Sequence, residues 1–392
     1  MSPWRNADKR LVALTLVVLV VGFAQAMRSS NDFAIYFHEA WEKLASGNFE
    51  IYEVSRPTQG GYYYSPFFAL VGSWFAPLGL SALKVLYALA TALGFVVGWN
   101  YIKRLVRESG AAVGFGVGAL SLLFATNNIL GQMLTGNVSL LVVLLAYLGL
   151  YFSTRHRPAA AGFFWALAAN IKVYPIYLGL YFLWKRDWRA LAYGAVFALT
   201  LLLVPGLFWG MDRNIEIHSQ WIQMLRAFGP QSDFGRLALQ SFAAMGYRSF
   251  MALGWSATLG LKLMQLFTLG LNVFVLLKLR RNSPGDNVWA IAWCVTFMAL
   301  ATPASWVHHL GVAYVPLFTL VLAHAIGLRD RLAYALLALG TLLYAGTTDA
   351  IIGRTLNDVF EAHSVPTWGL AILVLGAYRV QSLAHKKTPA EA

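Results

Sequence analysis

Long apolar runs separated by short basic segments dominate this chain. Runs of this kind approach the ~20 residues that cross a hydrocarbon core as helix. They predict helices near 10–27, 80–104, 112–127, 136–153, 159–171, 173–184, 189–209, 255–279, 286–302, 308–326, 331–346 and 366–383. That makes about twelve transmembrane helices in an all-α polytopic membrane protein. Segments 159–171 and 173–184 are each short for a span. They read as a helical hairpin whose tip, Asn170-Ile171-Lys172-Val173-Tyr174-Pro175, lies at or below the outer surface. Pro66 to Leu80 is also apolar but short, and is placed in the outer interface; crossing would put the 103–107 cluster outside. Two large outer regions result, roughly 28–79 and 210–254, apolar and aromatic instead of polar. No linker or soluble domain is visible, so residues 1–392 are expected to form one integral-membrane domain.

Composition agrees with this pattern. The chain is 58% hydrophobic and 12% charged, where soluble domains carry roughly 25% charged residues. The formal charge of +13 raises the possibility of nucleic acid. However, 19 of the 30 Lys and Arg fall in short clusters between spans: Arg5/Lys9/Arg10, Lys103/Arg104/Arg107, Arg155/Arg157, Lys185/Arg186/Arg189, Lys278/Arg280/Arg281, Arg329/Arg331 and Arg379/Lys386/Lys387. Placing all of them in the cytoplasm is consistent with alternating spans and puts both termini inside. No nucleic-acid partner is expected. The single cysteine, Cys294, excludes an intramolecular disulfide. Neither Asp-x-Asp nor His-x-x-x-His spacing occurs, so no required metal or other cofactor is expected.

The candidate chemistry gathers on the outer side. Asp32 lies just past the first span, in Asn31-Asp32-Phe33-Ala34-Ile35-Tyr36. A carboxylate there is either a helix N-cap, worth ~1 kcal/mol, or a general base, and one residue can be both. From Phe33 the apolar positions Phe33, Tyr36/Phe37, Ala40/Trp41 and Leu44 predict a helix lying on the membrane, ended by Gly47. Tyr62-Tyr63-Tyr64 suits interfacial anchoring as well as a site. Lys172 is an ammonium at the apex of an apolar hairpin, where it can snorkel to headgroups or face a phosphate. Gln132 and Asn137 flank a turn at Gly136 and suit either sugar hydroxyls or helix-end backbone. His308 and His309 precede a span and, being adjacent, point different ways, which disfavours one shared metal. Arg213, His218 and Arg226 read as a solvated face, and Asp349 and Asp358 are weaker rivals to Asp32.

Several segments together resemble glycosyltransferase family 87 of the GT-C superfamily, best known for polyprenyl-phosphate-mannose-dependent α-mannosyltransferases. They are Asn31-Asp32-Phe33-x-x-Tyr36, Tyr62 to Pro66, Gly131-Gln132-x-x-x-x-Asn137, Ala161-Gly162 with Ile171-Lys172-x-Tyr174-Pro175, Leu239-Gln240-Ser241-Phe242, and Thr302-Pro303-Ala304-Ser305-Trp306-Val307-His308-His309. The resemblance covers about residues 30–320. The chain departs from that pattern at Ser65, Leu239, Thr302 and Val307. The changes at Leu239 and Val307 each remove a polar group able to touch sugar.

This resemblance implies inverting transfer of a hexose, with mannose foremost, from a polyprenyl phosphate to a hydroxyl of a lipid or glycan acceptor. The site would face the periplasm or exterior from the cell membrane. It implies Asp32 as catalytic base and Lys172, His308 and His309 at the donor phosphate. Tyr36, Tyr64, Gln132, Asn137, Gln240 and Trp306 would contact substrate. Two alternatives belong to other classes: a lipid-linked-sugar transporter, and a polysaccharide polymerase or ligase using a polyprenyl-diphosphate donor. The polar residues gather at one level, against a transport path. Arg213, Arg226, Arg236 and Arg248 in the second outer region keep the polymerase reading open.

Overall fold

The computed structural model describes residues 9–28, 37–52, 62–227, 237, 239–303 and 305–387, without the side chains of residues 227, 307, 308 and 387. Helix accounts for 83% of the structure and no strand occurs among the described residues, so the protein is all-α. The helices in chain order are α1 Lys9–Arg28, α2 Glu39–Ala45, α3 Pro66–Ser73, α4 Gly79–Glu108, α5 Phe115–Thr135, α6 Ser139–Thr154, α7 Pro158–Ile171, α8 Gly179–Lys185, α9 Trp188–Leu203 and α10 Gly206–Trp209. They continue as α11 Met211–Ala227, α12 Phe242–Ala252, α13 Ala257–Leu277, α14 Pro284–Ala301, α15 Val307–Leu328, α16 Arg331–Ala345, α17 Asp349–Ile352, α18 Arg354–Ala362 and α19 Val365–Lys387. Helix is present wherever a span was expected, but span lengths differ. Among the described residues six helices are long and apolar enough to cross a membrane, or seven if α18 and α19, bent by 65°, count as one. At 1.5 Å per residue, α6, α7 and α16 reach only about 21–24 Å. The expected span 173–184 is a 3-10 turn, Tyr174–Leu178, followed by the seven-residue α8. Pro175 has no amide hydrogen and its ring crowds the preceding turn, so α7 cannot run on.

The contacts define two compact units: residues 1–17, 99–128 and 230–392, and residues 18–98 and 129–229. In the second, α6, α7 and α9 form the frame. Gly162 of α7 meets α9 at Gly194, where a Cβ on Gly162 would lie 2.5 Å from the Gly194 nitrogen. Small residues let membrane helices approach this closely. Beside that seam Trp165 donates its indole hydrogen to the Pro175 carbonyl at 2.8 Å, tying the hairpin tip to α7. Asp187 caps α9 through the Ala190 amide and accepts from the Ser153 hydroxyl at 2.6 Å.

The outer region of this unit differs from expectation in one respect. Residues 33–36 of the expected surface helix lie outside the described residues, and α2 continues their stripe. Phe37, Ala40, Trp41 and Leu44 are all buried. Their partners are protein, not lipid: the Phe37 ring lies tilted 4.6 Å from Tyr64 and meets Phe68 edge-on at 5.8 Å. Tyr62 and Tyr64 are 2% and 6% exposed, so these rings form core and do not anchor the interface.

In the first unit α14 lies at the centre, buried continuously from Asp286 to Leu300. A helix apolar on every side has no face to give water and sits inside other helices. The unit repeats the glycine seam twice. A Cβ on Gly246 of α12 would meet the Gly260 carbonyl of α13 at 2.5 Å, and one on Gly340 of α16 would meet the Gly369 carbonyl of α19 at 2.8 Å. The outer face of α13 carries Leu259, Leu263, Leu266, Phe267, Phe274 and Leu277, all exposed at helical spacing, which is a lipid-facing stripe.

Candidate active site

Lys172 follows the last residue of α7 in extended conformation, φ −133° and ψ 133°. The break that Pro175 imposes therefore leaves this side chain at the hairpin tip, half-buried. Its ammonium donates to Asn137 Oδ1 at 3.0 Å and to Ser139 Oγ at 2.7 Å, and lies 5.4 Å over the Tyr64 ring. Asn137 and Ser139 bring no charge, so they orient the ammonium without cancelling it. They are themselves fixed: Asn137 Oδ1 accepts from the Ser139 amide at 3.0 Å and from its hydroxyl at 2.7 Å. This turn follows Gly136, whose φ of +76° is a left-handed conformation that glycine adopts without penalty.

Neighbouring contacts hold the tip from two sides. The Ser65 hydroxyl donates to Asn170 Oδ1 at 2.7 Å, and Ser65 Oγ caps α3 by accepting from the Phe68 amide. The Tyr87 hydroxyl lies 2.8 Å from the Gln132 carbonyl and 2.9 Å from the Asn137 carbonyl, closing the end of α5. Gln132 has no exposed surface, and neither atom of its side-chain amide has a hydrogen-bond partner among the described residues. A buried amide in that state costs ~1–3 kcal/mol per unmet group. On α11, Trp221 donates to the Tyr63 carbonyl at 3.3 Å. His218, one turn earlier, has Nδ1 2.8 Å from the Asn214 carbonyl, and burial pushes its pKa below the usual imidazole value. So His218 is not the solvated residue its spacing implied.

The other motif residues belong to the first unit. Leu239 pairs with Trp306 in an antiparallel bridge, and the Gln240 amide donates to the Ser305 carbonyl at 3.1 Å. Trp306 packs on Leu239, Ala243, Ala244 and Leu261. Gln240 is fully buried. Its Nε2 donates to the Leu237 and Glu361 carbonyls at 2.6 and 2.9 Å, and its Oε1 accepts from Thr367 at 2.8 Å. Its amide thus organises backbone. His309 is 8% exposed, with Nδ1 3.4 Å from the Trp306 amide.

Arg248 clamps this assembly. It donates from Nη1 to the Leu239 carbonyl at 2.6 Å and from Nη2 to Ser364 Oγ at 2.7 Å. Burial pushes its guanidinium down to about 10, against the opposing pull of Glu361.

The structure therefore brings Lys172, Asn137 and Tyr64 together in one unit, and Gln240, Trp306 and His309 together in the other. Asp32 and Tyr36 lie outside the described residues, as does the His308 side chain. Sequence reasoning missed Ser139, the Ser65–Asn170 pair and the clamping role of Arg248, which it read only as one of four arginines of the second outer region. The spacing Asn137-x-Ser139, typical of an Asx turn, was a usable signal for the first. A lone arginine in the apolar run Phe242–Ala252 was one for the third.

An all-α membrane protein with polar groups gathered at helix ends is the setting of an integral-membrane transferase. Residues 62–303 match glycosyltransferase family 87, and the chain belongs to that family. It is therefore a glycosyltransferase, and placement in the GT-C superfamily is consistent with this. The matched span includes Tyr64, Gln132, Asn137, Lys172 and Gln240, and ends before Trp306 and His309. No curated protein matches the chain, and no solved structure does.

Proposed function

We propose that residues 1–392 act as one domain that transfers a hexose, mannose by family resemblance, from a polyprenyl-phosphate donor to a hydroxyl of a lipid or glycan acceptor. The site faces the non-cytoplasmic side of the cell membrane, with both termini in the cytoplasm. The reaction is a single displacement with inversion. Asp32 takes the acceptor hydroxyl proton, the acceptor oxygen bonds to the anomeric carbon, and the sugar–phosphate bond breaks toward the lipid phosphate. Lys172 faces the charge that gathers on that phosphate. Proton abstraction by a positioned carboxylate contributes ~10²–10⁴-fold.

The observation that carries this reading is the Lys172 ammonium, oriented by Asn137 and Ser139 at the tip of an apolar hairpin. An ammonium in that position suits a phosphate as a point charge with three donors. Gln132, buried with an unsatisfied amide, supports a polar ligand in the same unit. His308 and His309 are proposed as further phosphate contacts. Gln240 and Trp306 are proposed to shape the substrate-contacting segment, given how fully Gln240 is bound to backbone.

The test is a donor screen with purified protein, with product read by mass. Transfer from a polyprenyl-phosphate hexose, lost by orders of magnitude in well-folded Asp32→Asn protein, is the expected result. Transfer only from diphosphate donors, or full activity in Asp32→Asn, overturns the assignment.

A further inference from the structure

At the far end of α14 and α15 from Trp306 and His309 lies a cavity of about 650 Å³. A space of this size holds a small ligand or a headgroup. Its walls come from the end of α4, the α13–α14 turn, and the last turns of α15 and α19. Besides Ser283, the polar residues that line it are Glu108, Ser109, Arg280, Asp286, His324 and His385. None of them has a part in sugar transfer as proposed above.

The two carboxylates are already matched. Asp286, with 4% of its side chain exposed, lies 2.8 Å from His385 Nε2 and accepts from Arg280 twice, at the backbone amide (2.8 Å) and Nε (3.2 Å). Glu108 accepts from Arg104 Nε at 3.1 Å. His324 is held by the Ser109 hydroxyl at 2.9 Å and lies 5.4 Å from the Trp289 ring. Arg280 spends only its Nε on Asp286, and 63% of its side chain stays exposed. Arg280 lines the cavity, and its planar guanidinium carries two further Nη donors. In sequence, Lys103 and Arg107 precede Glu108, Lys278 and Arg281 flank Arg280, and Lys386 follows His385, so basic residues outnumber acidic ones in the segments that line the cavity.

An apolar path leads to this mouth. On α13, Phe274 and Leu277 are 45% and 70% exposed on the lipid-facing stripe. Lys278 follows, with its ammonium 5.3 Å over the Phe274 ring, which is how a lysine covers apolar surface while its charge stays at headgroup level. Phe274 also lies 6.0 Å from Tyr378 of α19, two turns before His385. A cationic, forked headgroup pocket thus sits at the foot of an exposed hydrocarbon face.

We propose that this cavity binds the phosphate headgroup of an anionic phospholipid from the leaflet on the basic side of the protein. Arg280 Nη1 and Nη2 hold the phosphate, His324 and His385 line the headgroup space, and the acyl chains lie along Phe274 and Leu277. Arginine suits this role because its planar fork matches phosphate oxygens two at a time.

The test uses the full chain in neutral detergent micelles, with Tm read before and after addition of phosphatidylglycerol, phosphatidylcholine or inorganic phosphate. The expected result is a saturable rise in Tm with phosphatidylglycerol alone. Arg280→Gln should raise the concentration needed for half the rise by ~10-fold, on the scale of one lost charge-assisted fork. Arg157→Gln, an equal charge change at another exposed basic position, should leave it unchanged. The readout is the rise on adding lipid within each variant, so a variant of lower starting Tm still reports. An equal rise with phosphatidylcholine would mean general lipid solvation. An equal rise with inorganic phosphate would mean an anion site only. An unshifted curve in Arg280→Gln, or no rise in the natural protein, would mean no such site. Each of these overturns the proposal.

Discussion

Replacing Arg248 by Met keeps the apolar stem and removes the guanidinium that joins three separate parts of the chain. The loss comprises two short charge-assisted bonds, to the Leu239 carbonyl and Ser364 Oγ, in a residue only 8% exposed. At ~1.5–3 kcal/mol each these contribute about 3–6 kcal/mol. Against this stands the cost of burying the charge. Depression of the guanidinium to about 10 corresponds to roughly 3 kcal/mol that Met does not incur. The net expectation is a loss of about 0–3 kcal/mol, seen as a Tm lower by up to a few degrees in detergent. The loss should also be local. Amide exchange should rise at residues 239–241 and at 364–367, and stay unchanged along α6 and α7 in the other unit. Arg248→Lys, with one ammonium in place of a fork, should fall between. Unchanged exchange at 239–241 in Arg248→Met, with Tm at the natural value, would refute the clamp.

Lys172→Met should lower transfer by ~10²-fold or more while Tm stays close to natural, because Asn137 and Ser139 still bond each other; near-natural turnover would remove Lys172 from the site. Glu361 is held above its ordinary carboxyl value, chiefly by burial, with Asp358 and Asp349 adding to the rise and Asn357 and Arg248 opposing it. A carboxyl whose folded pKa is raised contributes most below its unfolded value of 4.5 and loses that contribution as pH rises through the folded value. Glu361→Gln should therefore raise Tm at pH 8 and leave it unchanged at pH 4, and an equal effect at both would contradict this. Asp330 is the opposite case. The forked bond from Arg379, at 2.7 and 2.8 Å, holds it down to about 2. Its contribution is present above 3.8 and lost as pH falls toward 2. Asp330→Asn should lower Tm slightly at pH 7, with the gap closing below pH 3.

The helices were legible because lipid imposes a simple rule: each backbone polar group must be satisfied within its own segment, so apolar runs become helix. Periodicity says less about what covers a helix. The Phe37, Trp41, Leu44 stripe pointed to a surface-lying helix, yet those residues pack on Tyr64 and Phe68, because a stripe reads the same against lipid and protein. Length was misjudged at 173–184 since the hydropathy of Val173–Leu183 outweighed the effect of Pro175. At the site, Lys172 stood out because an ammonium in apolar surroundings is costly. Its holders did not: Asn137 and Ser139 are ordinary turn residues, and their spacing of 35 and 33 positions from Lys172 is set by how α6 and α7 pack. Gln240 was visible as a motif, but only coordinates reveal that its amide is spent on the carbonyls of Leu237 and Glu361.

The three glycine seams, at Gly162–Gly194, Gly246–Gly260 and Gly340–Gly369, bear on how the chain is assembled. In hydrocarbon no water is released when two inserted helices dock, so shape must do what the hydrophobic effect does elsewhere. Glycine on both sides asks no rotamer to freeze and brings main chain against main chain, where many weak attractions add up. Each seam is thus a preset coupling point at which two helices can recognise each other, inside the bilayer for α7–α9 and α16–α19 and beside it for α12–α13. Even alanine there would hold a pair apart and slow maturation before any chemistry is reached.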